Sequence, residues 1–431
     1  MINLTPQQRE DVGLNFILRH LNPETPYGVE KAKKIAPQTN EGVEISFDNT
    51  ERIMDFNSHH LSHFKNIRGC VEKAKSLPLN EVELFEIKSF LLTLEKLLGE
   101  EMPKLQNINF IPMDKALDIL DPQNQRLAPF SLQSPTLSRL RHEKERLEKM
   151  NLMEERAKVV LEEDAEEQRV METLTTALRP HIPAFLHNME AISNLDLTIA
   201  KARLAKQFCA IRPTIGSTIK FKGMTNPYFA DILSQKGKSF TEISIEMPNG
   251  ITIITGANMG GKSMAIKTSV LNVVLCQLGL FVFAETAQIP IFNSIHLIAE
   301  DAQSPQDGLS TFGSEITRIN TAVTQIDKGF TFIAMDEPAR GTNPAEATAI
   351  AQGITAHLAG KDAISLMSTH YDRITPLATA HYRVAGITPE GNMDYTLHPA
   401  DISEPIPKNA LDICEKMGLD TELLNQIKTR I

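Results

Sequence analysis

Eight consecutive residues, Gly256-Ala257-Asn258-Met259-Gly260-Gly261-Lys262-Ser263, fit the pattern G-x-x-x-x-G-K-[ST] in full. Glycines let backbone N–H groups curl around phosphate oxygens, a lysine supplies a point charge, and a serine hydroxyl can be presented to Mg²⁺. The flanks suit the pattern. Ile251-Thr252-Ile253-Ile254 is a β-branched run that predicts the strand such a loop leaves, and Ser263-Met264-Ala265-Ile266-Lys267 opens the helix that it enters. The nucleotide-binding set is therefore Gly256, Ala257, Asn258, Met259, Gly260, Gly261, Lys262, Ser263 and Met264, and the expected ligand is a nucleoside triphosphate. A chance glycine-rich turn would not meet all these conditions together.

Two further runs supply reacting groups. Phe330-Thr331-Phe332-Ile333-Ala334-Met335 is continuously apolar, as a strand buried on both faces of a parallel sheet must be, and it delivers Asp336-Glu337 to its carboxyl end. Asp336, with Ser263, would hold Mg²⁺. Glu337 would polarise the attacking water, because phosphoryl transfer is mostly positioning and charge stabilisation. Ala363-Ile364-Ser365-Leu366-Met367-Ser368 predicts a second such strand and brings Thr369-His370 to the same edge. A lone histidine after a strand is more often structural. One strand beyond the acidic pair, His370 is read instead as a γ-phosphate sensor. The expected catalytic groups are Glu337, His370 and Lys262.

The segments TGANMGGKS (255–263), STFGSE (310–315), DEPARGT (336–342) and Thr369-His370-Tyr371 occur in this order. Together they resemble the ATPase domain of the MutS family, a branch of the ABC-type ATPases. That resemblance implies an α/β P-loop NTPase with ATP and Mg²⁺ as cofactors. It also implies a homodimer in which Ser310 of one subunit reaches the γ-phosphate held by the other. Ser310-Thr311 also reads as a helix N-cap with Glu315 in the first turn, and the two readings agree, since a helix N-terminus is an anion seat. The chain departs from the family at Ala257, where proline is usual, at Met264, where threonine is usual, and at Pro338-Ala339-Arg340-Gly341-Thr342-Asn343, where the family often has GRGTS.

The elements that must position these groups divide the 431 residues into two expected domains. Residues 1–216 read as an all-α lever and core domain, and 217–431 as the ATPase domain with short carboxy-terminal helices. In the first, Leu14, Ile17, Leu18 and Leu21 mark a helix, Ile53 through Ala74 a longer one, and Asn80 caps a third carrying Leu84, Phe85, Ile87, Phe90, Leu91, Leu94, Leu97 and Leu98 on one face. Residues 102–136 read as a loop region. Residues 138–175, dense in charge, predict a long exposed helix or coiled-coil-like arm, and Leu186 to Cys209 a further helix. This half also resembles the lever and core helices of MutS-type proteins. Arg139, Arg141, Lys144, Arg146 and Lys149 precede an acidic block, Glu162, Glu163, Asp164, Glu166 and Glu167, a pattern expected of a salt-bridged face rather than a DNA-binding one.

Composition sets the class. The net charge of −10 gives no general attraction to nucleic acid, and 42% apolar residues support proper cores. No apolar run suits a membrane helix and the start does not read as a secretory signal, so a cytoplasmic protein is expected. Cys70, Cys209, Cys276 and Cys414 are scattered and read as reduced thiols. His59 and His63 have helical metal spacing without further ligands, and with His60 they read as the polar surface of a helix.

The client of the ATP cycle is left between two readings. The mismatch-reading, connector and full clamp regions of the DNA-repair members are not recognised, and Phe283-Ala284-Glu285-Thr286-Ala287 and Gly308-Leu309-Ser310-Thr311-Phe312-Gly313 resemble segments of short MutS-related proteins associated with cobalamin-dependent aminomutases. This tips the balance slightly to a protein client that is remodelled or reactivated. The alternative is a DNA-binding ATPase of the mismatch-repair and recombination-control class.

Overall fold

A computed structural model describes residues 1–126, 130–256, 261–299, 311–371, 373–387, 393–402 and 418–429. Its strands are β1 (Ile2–Asn3), β2 (Thr214–Ile215), β3 (Ile219–Met224), β4 (Ile243–Met247), β5 (Gly250–Thr255), β6 (Thr286–Ile289), β7 (Ser294–Ile298), β8 (Thr331–Asp336), β9 (Ala363–Ser368), β10 (Ala380–Ile387) and β11 (Met393–Pro399). The chain forms two units. One comprises residues 1–21, 36–48 and 203–431, the other 22–35 and 49–202. A single division at 216 therefore does not describe the molecule. Residues 1–21 pack with the carboxy-terminal half because β1 pairs in parallel with β7, Ile2 opposite Ile295.

The first unit is α/β. Seven strands run in the order β1-β7-β8-β9-β5-β10-β11, with a second, four-stranded sheet β2-β6-β3-β4. From β1 to β10 every pairing is parallel, and only β11 joins antiparallel. Parallel strands carry helices on both faces, which explains why β8 and β9 are apolar almost throughout and buried, apart from the half-buried Asp336 that ends β8. The helix Thr311–Ile326 sets Ile319, Ala322 and Ile326 against Ile333 and Met335 of β8 in a shared core. Pro344–Ala359 starts on an Asn343 cap and presents Ala347, Ala351 and Leu358 to the same core, small residues that allow close approach to the strands.

The second unit is all-helical. Helix Glu81–Leu98 starts on the expected Asn80 cap, closed reciprocally by Glu83. Its Leu84, Ile87, Phe90, Leu91, Leu94 and Leu97 pack with Phe185, Met189, Ile192 and Ile199 of the helix that ends at Gln207, while Phe85 and Leu98 lie outward. The expected helix Ile53–Ala74 is helical in its α-helical part only over Arg68–Ala74. Ile53, Leu61, Phe64 and Ile67 do reach the core, but from irregular backbone. There the amides of His59, His60 and Ile67 bond to Glu100, Ser58 and the Tyr27 hydroxyl instead of to helical carbonyls. Helix Asp114–Leu120 breaks the loop region.

Of the two forms expected for 138–175, a long helix or a coiled-coil-like arm, the one continuous helix does not form: the stretch is a hairpin of two helices, Pro135–Lys149 and Met153–Leu178. Asn151 stops the first helix at φ 58°, and the amides of Asn151 and Leu152 return to the carbonyls of Glu148 and Leu147. Asparagine tolerates this left-handed closure better than other side chains. The charges then pair across the hairpin: Arg141 with Glu163 at 3.3 Å and Glu167 at 2.9 Å, and Lys144 with Glu163. The salt-bridged reading of this stretch holds. Among the described residues no helix is long and apolar enough to cross a membrane, and Cys70, Cys209 and Cys276 are free thiols; Cys414 lies outside the described residues.

His296 on β7 is buried beside β1, its Nε2 3.2 Å from Asn3 Nδ2. Burial, reinforced by the nearby α-amino group, lowers its pKa to about 4. The unfolded chain binds this proton near the ordinary value of 6.5, so stability is present above that pH and is lost as pH falls towards 4. Between pH 7 and pH 5 this one group should cost about 2 kcal/mol. Urea unfolding at both pH values checks it, with His296→Asn expected to remove most of the difference.

Candidate functional site

The carboxyl ends of β5, β9 and β8 lie side by side on one edge of the sheet, since the three run parallel in adjacent positions. β5 leads into the glycine-rich segment. Gly256 (φ 138°) and Gly261 (φ 87°) both adopt backbone that L side chains rarely reach, and Gly261 is the left-handed N-cap of helix Lys262–Gln277. Lys262 is buried and its Nζ donates to the Gly256 carbonyl at 2.9 Å, closing the segment into a loop from the inside. Ser263 is exposed on the first turn of the helix, followed by a half-buried Met264. Ala257, Asn258, Met259, Gly260 and Ser310 lie outside the described residues.

Asp336 ends β8, paired in register with Ser368 of β9. Ser368 links the two acids: its hydroxyl donates to Asp336 Oδ1 at 2.6 Å and accepts from the Glu337 amide at 3.0 Å. Glu337 itself has φ 49°, a strained value for glutamate, and Ala339 two residues on has φ 66° while fully buried. The Ala339 amide donates to Glu315 Oε1 at 3.1 Å, tying the segment after the acids to the helix Thr311–Ile326. The Glu337 carboxylate, nearly buried, meets Lys262 Nζ at 3.3 Å, Arg340 at 3.6 Å and His370 Nδ1 at 3.7 Å.

The structure thus brings Lys262, Asp336, Glu337 and His370 together as the sequence predicts. His370 follows Thr369, whose amide donates to the Ile254 carbonyl of β5 and whose hydroxyl accepts from the Tyr371 amide. The Tyr371 ring lies 4.5 Å from that of His370, and burial, then Glu337 and Glu315, raise its hydroxyl pKa. Tyr228 packs on Phe16 and against Gly13.

Ser368 lies outside the motifs, and for Glu315 and Thr369, which lie within them, the motifs do not show the contacts they make. Ser368, Glu315 and Thr369 act on backbone amides or on a neighbouring acid, so their roles depend on strand register. A hydroxyl residue at the last position of a mostly apolar, buried strand is the available signal for Ser368. Glu315 was read only as a first-turn acid.

The family model of MutS domain V, the ATPase domain of that family, matches residues 252–397, the span that contains β5, β8, β9 and their loops. Among curated proteins the chain is similar to the Endonuclease MutS2 of Leuconostoc mesenteroides, 27% identical over 404 residues that cover 92% of this chain and 48% of that protein. It is likewise similar to the Endonuclease MutS2 of Geobacillus sp., 26% identical over 95% of this chain and 51% of that one. The Endonuclease MutS2 of Halothermothrix orenii is 31% identical over 62% of this chain and 34% of its own length. The chain spans about half the length of the first two relatives. The parallel edge that gathers Lys262, Asp336, Glu337 and His370 lies within the span that matches MutS domain V, and over most of its length the chain is similar to MutS-type proteins.

Proposed function

We propose that this chain binds and hydrolyses Mg-ATP at the β5–β9–β8 edge and uses the cycle to open and close a dimer around nucleic acid. The observation that carries the hydrolytic reading is the position of Glu337, whose carboxylate shares Lys262 with the phosphate-loop carbonyl of Gly256. A γ-phosphate draws Lys262 towards itself, which releases one carboxylate oxygen to accept a proton from water. His370, 3.7 Å from the other oxygen, is placed to report phosphate charge back to Glu337.

The donor set suits Mg²⁺. Among the described residues no group of three or more His, Cys, Asp or Glu side chains could hold a metal on its own. Ser263 and Asp336, completed by phosphate oxygens and water, match an octahedral ion that keeps some of its waters. Bound there, Mg²⁺ would neutralise charge developing on the phosphates. The second subunit would supply Ser310 to the γ-phosphate, as the family resemblance implies, so that ATP holds the dimer closed and hydrolysis releases it.

For the client, the relatives named endonucleases favour nucleic acid over the protein client that the sequence segments suggested. The helical hairpin is an unsuitable contact surface, because Arg141, Lys144 and Arg146 are paired with Glu163, Glu167 and Glu143. ATPase rate measured against duplex, branched and mismatched DNA at moderate salt tests this reading. Stimulation severalfold by one DNA structure is expected. A flat response in all of them would reject it in favour of a protein client.

Glu337→Gln should retain ATP binding and lower kcat by about 10² or more, accumulating closed dimer on sizing columns. Lys262→Ala should weaken ATP binding by at least about tenfold, seen as a rise in Kd. Turnover by Glu337→Gln at the parent rate would remove Glu337 from its role.

A further inference from the structure

Both ends of the phosphate loop touch the β10–β11 hairpin, which none of the sequence motifs includes. At the start of the loop Thr255, fully buried, lies with its hydroxyl 2.8 Å from Nε2 of His381 on β10. His381 is itself 3% exposed, and its Nδ1 lies 2.9 Å from the carbonyl of Asp401, just beyond β11. A carbonyl only accepts, so Nδ1 carries the hydrogen. In the neutral ring Nε2 is then the acceptor, and Thr255 donates to it. The next residue, Gly256, is closed in by Val384 of β10: a methyl group there would meet Val384 Cβ at 3.1 Å and its backbone nitrogen at 3.4 Å. At the far end a methyl group on Gly261 would meet the ring of Tyr395, on β11, at 3.2 Å.

We propose that His381 is a positioning residue for ATP binding, holding Thr255 and with it the start of the phosphate loop at Gly256 through a hydrogen-bond relay anchored on the Asp401 carbonyl. β10 pairs in parallel with β5 up to Arg383 opposite Thr255, so the strand pairing runs out where the loop begins. At this last paired residue the side-chain relay adds a second hold on Thr255, while Val384 and Tyr395 limit the two glycines that follow. Gly256 and Gly261 are the most mobile residue type in the chain, and loop amides bind phosphate well only when already aimed. His381 touches no reacting atom. Its effect falls on nucleotide affinity and leaves the chemical step at Glu337 unaltered.

This inference rests on the ATPase reading, and one set of measurements separates the two. Binding of a fluorescent ATP, with kcat and KM for ATP, is measured on the parent, His381→Leu, His381→Gln, Thr255→Val and Thr255→Val/His381→Leu, each checked for folding by thermal unfolding. His381→Leu and Thr255→Val are expected to raise Kd and KM by about tenfold with kcat within about twofold of the parent. Glutamine can donate to Asp401 and accept from Thr255, so His381→Gln should come within about threefold of parent affinity, and the double variant should be no weaker than either single one. Parent affinity in Thr255→Val, equal losses in the Leu and Gln variants, or additive losses in the double variant would each overturn the role of His381. Thr255→Val removes one hydroxyl from a buried strand end at constant shape and decides the matter even if His381→Leu does not fold. A parent that neither binds nor hydrolyses ATP would overturn the ATPase reading and this inference together.

Discussion

Backbone pairing along β9 is the constraint on which the site depends. β9 lies between β5 and β8, in register with both, so the amide of Thr369 bonds to β5 while Ser368 bonds to the acids that leave β8. A parallel sheet sets neighbouring strands about 4.8 Å apart with their carboxyl ends together. Phosphate loop and acidic pair are therefore two strand widths apart. That distance is spanned by a lysine on one side and a glutamate on the other, whose charged ends meet at 3.3 Å. A shift of one residue in either pairing would turn Ser368 to the opposite face and leave Asp336 without its donor.

Local strain is concentrated where the sheet stops. Left-handed backbone at Glu337 and Ala339 costs of order 1–3 kcal/mol for each residue. Hydrogen bonds to both amides, from Ser368 and Glu315, hold the segment in that form. The carboxylate is consequently aimed by its own main chain towards Lys262, Arg340 and His370. A glutamate in ordinary extended backbone would direct its side chain elsewhere along the edge.

The legible part of the molecule was the part written in local patterns. The glycine-lysine-serine run, the apolar stretches before Asp336 and Thr369, and the Asn80 cap all specify their structure within a few residues, and β9 and helix Glu81–Leu98 form where those patterns place them. The misreadings have one physical origin, that periodicity records burial and not backbone. Ile53, Leu61, Phe64 and Ile67 are buried at helical-looking intervals on irregular chain, because side chains satisfy its amides. In the hairpin the opposite happens. Helix-forming residues continue through 151, but a single asparagine in left-handed geometry reverses the chain, and the gain lies in ion pairs between residues about twenty apart. The roles of Ser368, Glu315 and His381 were invisible for a related reason: each is a contact between strands or helices distant in sequence.

The pairing of β1 with β7 joins residues 293 apart, across the whole of the helical unit. Closing so long a segment has an entropic cost that local contacts cannot offset early. The helical unit draws on residues 22–35 and 49–202 alone and can collapse without that closure. The edge of the large sheet cannot be covered until β7 and β8 exist. Until β1 pairs with it, β7 is an open strand edge, the feature through which chains pair wrongly with one another. The two-residue strand β1 therefore decides how long that edge stays open while the chain folds.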